Sequence, residues 1–215
     1  MRVAGIPLGV GNSVDGRIPF TIDWTGRTDW LNCTFSTATG LTDSSVNNQT
    51  FTNIGSPSVS TTRYAAGALD LNGSQALHTP LSIGFGTAPF AISVDAFVTS
   101  DSDFYSVLLA QRVDSSEITF ELYSLADARL YPTFYFSDAA GFAAGYSGIT
   151  RDEWHTIQIE RKSDGRFIIG LDGYKVAEAT STGNMVSRIF NIGTANNSVI
   201  SGGVTGSIKN LRIAV

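Results

Sequence analysis

Residues 154–179 read WHTIQIERKSDGRFIIGLDGYKVAEA, and this stretch decides the fold. It contains three runs in which apolar and polar residues alternate, which is the pattern of a half-buried β-strand. Asp164-Gly165 separates the first two runs and Asp172-Gly173 the last two, and both dipeptides suit the positive φ angles of a tight hairpin turn. We therefore predict a three-stranded antiparallel meander, with alternate residues facing a core.

The same kind of pattern covers most of the chain. Residues 90–98, FAISVDAFV, alternate apolar and polar positions, and residues 204–215, VTGSIKNLRIAV, do so with a register change near Asn210. Helix formers are scarce, whereas Thr, Ser, Gly, Ile, Val and Phe are plentiful, which favours strands joined by turns. About a dozen short strands with turn signals between them indicate an all-β sandwich or barrel. We also expect the last strand to pair with the first.

A further half-buried strand is predicted over residues 17–24, RIPFTIDW. A proline cannot donate to a strand ladder, so Pro19 here, like Pro132 in a later run, indicates an edge position or a bulge. The apolar residues of the segment share one face: Ile18, Phe20, Ile22 and Trp24.

Composition limits the classes of function. The 215 residues carry a formal net charge of −5 and no run of Lys or Arg, so the basic surface that nucleic acid or an anionic membrane requires is missing. No apolar stretch is long enough for a transmembrane helix. Cys33 is the only cysteine, which excludes an intrachain disulfide, and we expect it to be a small buried apolar residue.

Residues 1–16 are rich in glycine and apolar residues and suit an extended arm, with a single domain over residues 17–215. They lack the apolar core of a secretory signal, so we expect synthesis in a cytoplasm without a cleaved leader. The arm either docks on a neighbouring subunit or folds over its own domain. In the first case the predicted interface consists of Val3, Ile6, Pro7, Leu8, Val10, Ile18 and Phe20.

Five segments, in this order, resemble the laminin-G-like branch of the concanavalin A-like jelly rolls. The most recognisable is residues 149–179, in which a Trp-His pair opens a strand that leads into a hairpin. The resemblance implies a two-sheet antiparallel jelly-roll sandwich, and it makes His155 a structural residue. The other four segments are ALDLNGSQALHTP (68–80), FGTAPFAISVDAFV (85–98), FNIGTANN (190–197) and VTGSIKNLRIA (204–214).

Residues 35–73 resemble the opening of lectin-like domains in tailed-bacteriophage virion proteins, through their TDSS-x-N turn and the ALDLNG strand. This resemblance implies a non-enzymatic structural protein of a phage virion, either a capsid decoration protein or a tail or fibre component. We expect such a protein to bind other virion proteins and further copies of itself through its arm and sandwich surface, which would place it in the virion.

A glycan-binding lectin or adhesion module is the alternative. Sugars stack on exposed aromatic rings, and the candidate platforms are Tyr105, Tyr123, Tyr131, Tyr135 and Tyr146. We expect no cofactor, although related folds hold Ca²⁺ in rim loops through oxygen ligands. The residues that offer such oxygens are Asp101, Asp103, Asp114, Asn196 and Asn197.

A remote alternative is a glycoside hydrolase that uses Glu117 and Glu121. The strand period places both on one face, as a carboxylate pair around a glycosidic bond requires, but Thr119 stands where the laminarinase-like family has Asp. We expect instead that this pair faces solvent as ordinary surface and that the protein is not an enzyme. His78 stands alone, which argues against a zinc site.

Overall fold

The structure is a computed structural model, and it describes residues 17–99, 105–112, 118–125, 129–138, 141–143, 146–147, 149–195 and 203–215. Within these ranges no helix is long and apolar enough to cross a membrane. The described residues form sixteen strands: β1 (Asp29–Cys33), β2 (Thr52–Ile54), β3 (Ser58–Ser60), β4 (Ala68–Asn72), β5 (Ala76–Ile83), β6 (Phe90–Val98), β7 (Tyr105–Arg112), β8 (Ile118–Leu125), β9 (Arg129–Phe134), β10 (Phe142–Ala143), β11 (Tyr146–Ser147), β12 (Trp154–Arg161), β13 (Arg166–Leu171), β14 (Tyr174–Thr180), β15 (Arg188–Ile192) and β16 (Thr205–Ala214).

The strands form two antiparallel sheets that pack as a sandwich, so the predicted fold class is confirmed. Sheet I has the order β14-β13-β12-β6-β16-β4-β3, and β1 also pairs with β16. Sheet II has the order β10-β9-β8-β7-β15-β5-β2, and β11 also pairs with β9. The last strand, β16, pairs with the first strand of the structure, β1, which is not the segment of residues 17–24 that was predicted to come first.

The predicted meander is strands β12, β13 and β14. Asp172 and Gly173 have φ angles of 51° and 82°, the conformation of a two-residue hairpin loop, whereas in the preceding turn only Gly165, at 81°, is positive. The predicted register change in β16 is also present. Asn210 has a φ of 50° and lies between Lys209 and Arg212, where the pairing with β6 shifts.

Phenylalanine rings from both sheets meet in the core. Phe167 on sheet I lies 4.8 Å, centroid to centroid, from Phe134 on sheet II, and Phe90 stacks on Phe85 at 4.2 Å. All four are essentially inaccessible to solvent. Burying each ring contributes about 1.5–3 kcal/mol, which makes this contact between the sheets a main source of stability.

Cys33 is fully buried as predicted, and its burial raises the pKa of the thiol.

The strand predicted over residues 17–24 is wrong. Only Pro19 forms an isolated bridge, with Tyr174, and the segment crosses the outer face of sheet I instead of extending it. Gly170 explains this path, because a Cβ at that position would overlap the ring of Phe20. Phe20 and Ile22 therefore pack on sheet I beside Ala91 and Ile168.

The predicted interface falls largely on the arm, which lies outside the described residues. Val3, Ile6, Pro7, Leu8 and Val10 belong to that part, so their role stays a prediction. Of the two remaining members, Phe20 is 9% exposed and contacts its own chain, whereas Ile18 is 55% exposed.

Pro132 is not on an outermost strand, because β9 is flanked by β8 on one side and by β10 and β11 on the other. Its position is still consistent with a missing N–H donor. The pairing with β10 covers Thr133 and Phe134, and that with β11 covers Arg129 and Leu130, so the proline lies between the two short ladders.

Candidate functional site

The outer face of sheet II carries a cluster of polar and aromatic side chains on β7, β8 and β9. On β8 the alternation of a strand sends Phe120 and Leu122 into the core and leaves Glu121 and Tyr123 on the opposite face. Tyr105 and Tyr123 pack against a small group of buried apolar residues, which are Val107, Ala110 and Ala195.

Three tyrosines, one from each strand, form a continuous aromatic strip that we call the tyrosine face. The ring centroids of Tyr105 and Tyr123 are 4.7 Å apart, and those of Tyr123 and Tyr131 are 5.4 Å apart with an interplanar angle of 12°. Tyr123 and Tyr131 are direct cross-strand partners, so the sheet register itself brings them together. All three are half-buried, and the exposed guanidinium of Arg129 lies 5.5 Å from the Tyr131 ring.

A buried ion pair lies beside the tyrosine face. The Arg112 guanidinium contacts Glu121 Oε1, and the Tyr105 hydroxyl donates to Glu121 Oε2 at 2.9 Å. Burial, and then the neighbouring Glu121 carboxylate, raise the pKa of Tyr105. Burial also raises the pKa of Tyr123. Both hydroxyls therefore keep their protons at neutral pH and can donate hydrogen bonds.

The expectation that Glu121 is ordinary surface is wrong. It lies on the outer face as predicted, but it is only 3% exposed, because Arg112 and Tyr105 enclose its carboxylate. The Thr119 hydroxyl, two positions earlier, donates to the backbone oxygen of Val186 at 3.0 Å. Glu117 lies outside the described residues, so the carboxylate pair stays untested, as does the prediction that the protein is not an enzyme.

Of the other predicted platforms, Tyr135 is half-buried just beyond β9, and burial raises its pKa. The Tyr146 side chain lies outside the part of the chain that the structure describes. So do all five predicted calcium ligands, which are Asp101, Asp103, Asp114, Asn196 and Asn197. Within the described ranges no group of three or more His, Cys, Asp and Glu side chains could hold a metal ion.

His155 has the structural role that the sequence predicted. It is 7% exposed, and its Nδ1 lies 2.7 Å from Asp172 Oδ2 while its Nε2 lies 3.0 Å from the backbone oxygen of Thr150. Asp172 also accepts from the Thr156 backbone N–H at 2.9 Å. The pair thus ties the start of β12 to the turn between β13 and β14.

The sequence did not reveal Arg112 as part of the site. In the sequence Arg112 begins the polar run RVDSSE (112–117), which gives no sign of a strand, whereas the structure extends β7 to include Arg112. The pairing of β7 with β8 shifts between Val107 and Leu109 and again between Gln111 and Arg112. These two irregularities break the simple alternation, so counting along β7 alone does not place Arg112 beside Glu121.

No family model matches the chain, and no curated protein matches it either. Several solved structures, however, match the chain. The binding domain of Paraclostridial Mosquitocidal Protein 1 superimposes with a TM-score of 0.69 at 12% identity, covering 86% of this chain and 48% of that one. The botulinum neurotoxin serotype G binding domain gives a TM-score of 0.64 at 12% identity, covering 85% of this chain and 46% of that one.

Domain 4 of AbnA, a GH43 extracellular arabinanase from Geobacillus stearothermophilus solved in complex with arabinotriose, gives a TM-score of 0.64 at 14% identity. That match covers 87% of this chain and 92% of the other. In contrast, the chain spans about half the length of the toxin binding domains. At these identities the likeness shows the fold, and the chain shares the all-β sandwich of these domains.

Proposed function

We propose that this protein is a glycan-binding module and that the tyrosine face of sheet II is its binding surface. The observation that carries the proposal is the strip of Tyr105, Tyr123 and Tyr131, which crosses three adjacent strands without a break. The C–H face of a sugar ring packs well on an aromatic ring, and a strip of rings offers successive platforms to a short oligosaccharide. The rigid strands hold the platforms in place before any ligand arrives.

The polar groups around the strip fit the same ligand class. The Tyr105 hydroxyl already donates its proton to Glu121, so the further donors beside the strip are the Tyr123 hydroxyl and the exposed Arg129 guanidinium, and sugar hydroxyls accept as readily as they donate. A few polar groups among aromatic side chains are typical of small-ligand sites. One solved domain of this fold is described in complex with arabinotriose, which supports a sugar as the ligand class.

Binding without turnover is the version of this function that the geometry favours. Glycoside hydrolysis requires a carboxylic acid that can protonate the glycosidic oxygen. Both oxygens of Glu121 are engaged, Oε1 by Arg112 and Oε2 by Tyr105, so neither points to a ligand as a spare acid. We therefore assign Glu121 the role of orienting the Tyr105 ring.

A glycan array probed with the wild type and two variants tests this function. Tyr131→Ala removes the outermost ring of the strip, and Tyr64→Ala removes an exposed ring that packs beside Trp154 on sheet I, as a control. We expect the wild type to bind at least one oligosaccharide, Tyr131→Ala to weaken binding about tenfold or more, and Tyr64→Ala to leave it unchanged. The proposal fails if no glycan binds, or if only the Tyr64 variant loses binding.

The phage virion role stays a prediction, because it depends on the resemblance of residues 35–73 and on an arm outside the described residues. The three structures compared above are toxin binding domains and an arabinanase domain, and none is a virion protein. A glycan-binding module can also serve on a virion, so the two roles are compatible. Incorporation of a chain without residues 1–16 into particles would test the structural role separately.

A further inference from the structure

Tyr135 lies on the same outer face of sheet II as the tyrosine face, but apart from its strip of rings. On β9 Phe134 faces the core, so the strand period places Tyr135 on the opposite face together with Tyr131. The Tyr135 backbone N–H donates to the Thr119 oxygen at 2.9 Å, which extends the pairing of β8 with β9 by one residue. The sheet therefore fixes the position of Tyr135 relative to the strip.

The strip runs across the strands, whereas Tyr135 is displaced from it along a strand. Tyr131 and Tyr135 are four positions apart in the chain, and a rise of about 3.3 Å per residue separates their Cα atoms by about 13 Å. Among the described residues no ring contact joins Tyr135 to the strip, whereas Tyr123 and Tyr131 contact each other at 5.4 Å. Tyr135 is thus a separate aromatic platform, set to one side of the strip.

Thr133 and Glu121 form the floor between the strip and Tyr135. They are direct cross-strand partners, and each is only 3% exposed. The Thr133 hydroxyl oxygen is enclosed and has no hydrogen-bond partner, because the Tyr123 hydroxyl is near it but not in bonding position. An enclosed hydroxyl without a partner is unfavourable, so a ligand hydroxyl that enters above this floor gains a hydrogen bond there.

The Tyr135 side chain offers a ligand both a ring and a hydrogen-bond donor. The ring is half-buried, so packing holds it in place while part of its surface meets solvent. Burial, and then the Glu121 carboxylate, raise the pKa of Tyr135, so its hydroxyl keeps the proton at neutral pH. This hydroxyl has no hydrogen-bond partner among the described residues, and it is not enclosed. A sugar residue can therefore pack on Tyr135 as it can on the strip.

We propose that the tyrosine face selects a branched oligosaccharide, with the main chain on the strip and a side branch that passes over Thr133 to Tyr135. A linear chain that follows the strip leaves Tyr135 untouched, because the strip points across the strands. A branch from the sugar over Tyr131 runs along β9 instead, and about two sugar residues span the separation of about 13 Å. This inference rests on the proposed function, since it names the ligand class of the same site.

The test measures the affinity of the full-length wild type for linear and branched oligosaccharides that share a backbone. The matched sets are cellotetraose with the xyloglucan heptasaccharide and nonasaccharide, arabinotriose with branched arabinan oligosaccharides, and linear mannotriose with branched mannopentaose. In at least one set we expect the branched member to bind tenfold tighter or more than the linear member. Equal affinity for both members, or binding of linear members alone, overturns this inference and leaves the proposed function intact. A wild type that binds no glycan overturns both.

Two variants of Tyr135 then show whether that residue is the cause of the preference. Tyr135→Ala should bring the branched ligand down to the affinity of the linear one, while the linear affinity stays within about twofold of the wild type. Tyr135→Phe keeps the ring and should retain most of the preference. A preference that survives in Tyr135→Ala overturns the role of Tyr135.

Tyr131→Ala is the matched control on the same strand. It should weaken linear and branched ligands alike, because it removes a ring of the strip that both use. Binding of the linear ligand also reports whether each variant keeps a folded site. Since the comparison of linear with branched ligands uses the wild-type protein, it decides the question even if a Tyr135 variant folds poorly.

Discussion

The outer faces of the two sheets both carry aromatic and cationic side chains, but the contacts between these side chains differ. On sheet I, the Lys209 ammonium lies 3.2 Å from the Tyr64 ring centroid and 4.4 Å from that of Trp154. On sheet II, the rings of the tyrosine face contact one another and leave an exposed arginine at the edge. On sheet I a buried cation of the chain thus lies between two rings, whereas on sheet II the exposed Arg129 lies 5.5 Å from the Tyr131 ring, and the Tyr105 and Tyr123 rings contact each other.

The segment of residues 17–24 adds to this difference. Phe20 and Ile22 lie across sheet I where Gly170 leaves space for them, and Arg212 lies 4.0 Å from the Trp24 ring. Sheet I is therefore covered by local chain and by cation–π contacts, which contribute stability. Composition alone therefore does not mark a binding face, since the contacts that the chain makes with itself decide which rings remain available.

The largest expected effect comes from breaking the ion pair of sheet II. Arg112→Met leaves the Glu121 carboxylate buried without its cation, and we expect the free energy of unfolding to fall by about 3–5 kcal/mol in a urea titration. Adding Glu121→Leu to this variant removes the unpaired charge and should restore most of the loss. Wild-type stability of Arg112→Met would show that the pair does not stabilise this face, and equal stability of the single and double variants would show that the unpaired carboxylate is not the cause of the loss.

The next effect concerns the cover of sheet I. Phe20→Ala removes a buried ring, and we expect a loss of about 3 kcal/mol in the same measurement. Gly170→Ala alone should also destabilise, because its methyl group overlaps the Phe20 ring. In the double variant the added methyl group occupies vacated space, so the two losses should be clearly less than additive. Strict additivity would mean that Phe20 does not pack on Gly170.

A smaller effect is expected from the cation on sheet I. Lys209→Met keeps the length of the side chain but removes the charge between Tyr64 and Trp154, and it should cost about 1 kcal/mol of unfolding free energy. Lys175→Met is the control, because the Lys175 ammonium forms a surface ion pair with Glu178, and such pairs contribute little. If Lys209→Met loses no more unfolding free energy than Lys175→Met, the cation–π contacts of Lys209 do not stabilise the fold.

The smallest effect is a pH dependence of sheet II. Burial raises the pKa of Tyr105 and of Tyr123 above the unfolded value of about 10, so their neutral forms stabilise the fold fully below that pH. This stabilisation is lost as pH rises above about 10, because the unfolded chain then releases the protons more readily. Tyr105→Phe should therefore show a shallower decline in stability between pH 9.5 and 11 than the wild type, as roughly one titrating group is removed. Parallel declines in the two proteins would contradict the raised pKa.

Local patterns in the sequence predicted the elements well and the site in part. The alternation in residues 154–179 and the turn residues at 172–173 predicted β12, β13 and β14, because hairpins depend on neighbours in sequence. The tyrosines were predicted one by one as platforms, but their convergence depends on the register between β7, β8 and β9. Because β7 contains bulges, that register cannot be counted from the sequence. The path of Phe20 is equally unpredictable, because it depends on the space that Gly170 leaves in a strand far away in sequence.

Whether ligands bind on sheet II is decided by an NMR titration of the ¹⁵N-labelled wild type with the glycan that binds tightest on the array. We expect the largest amide shifts on β7, β8 and β9, at and beside Tyr105, Tyr123 and Tyr131. We also expect unchanged positions around Tyr64, Trp154 and Lys209. Shifts concentrated around Tyr64 and Trp154, with none on the tyrosine face, would contradict the claim that sheet II holds the open binding surface.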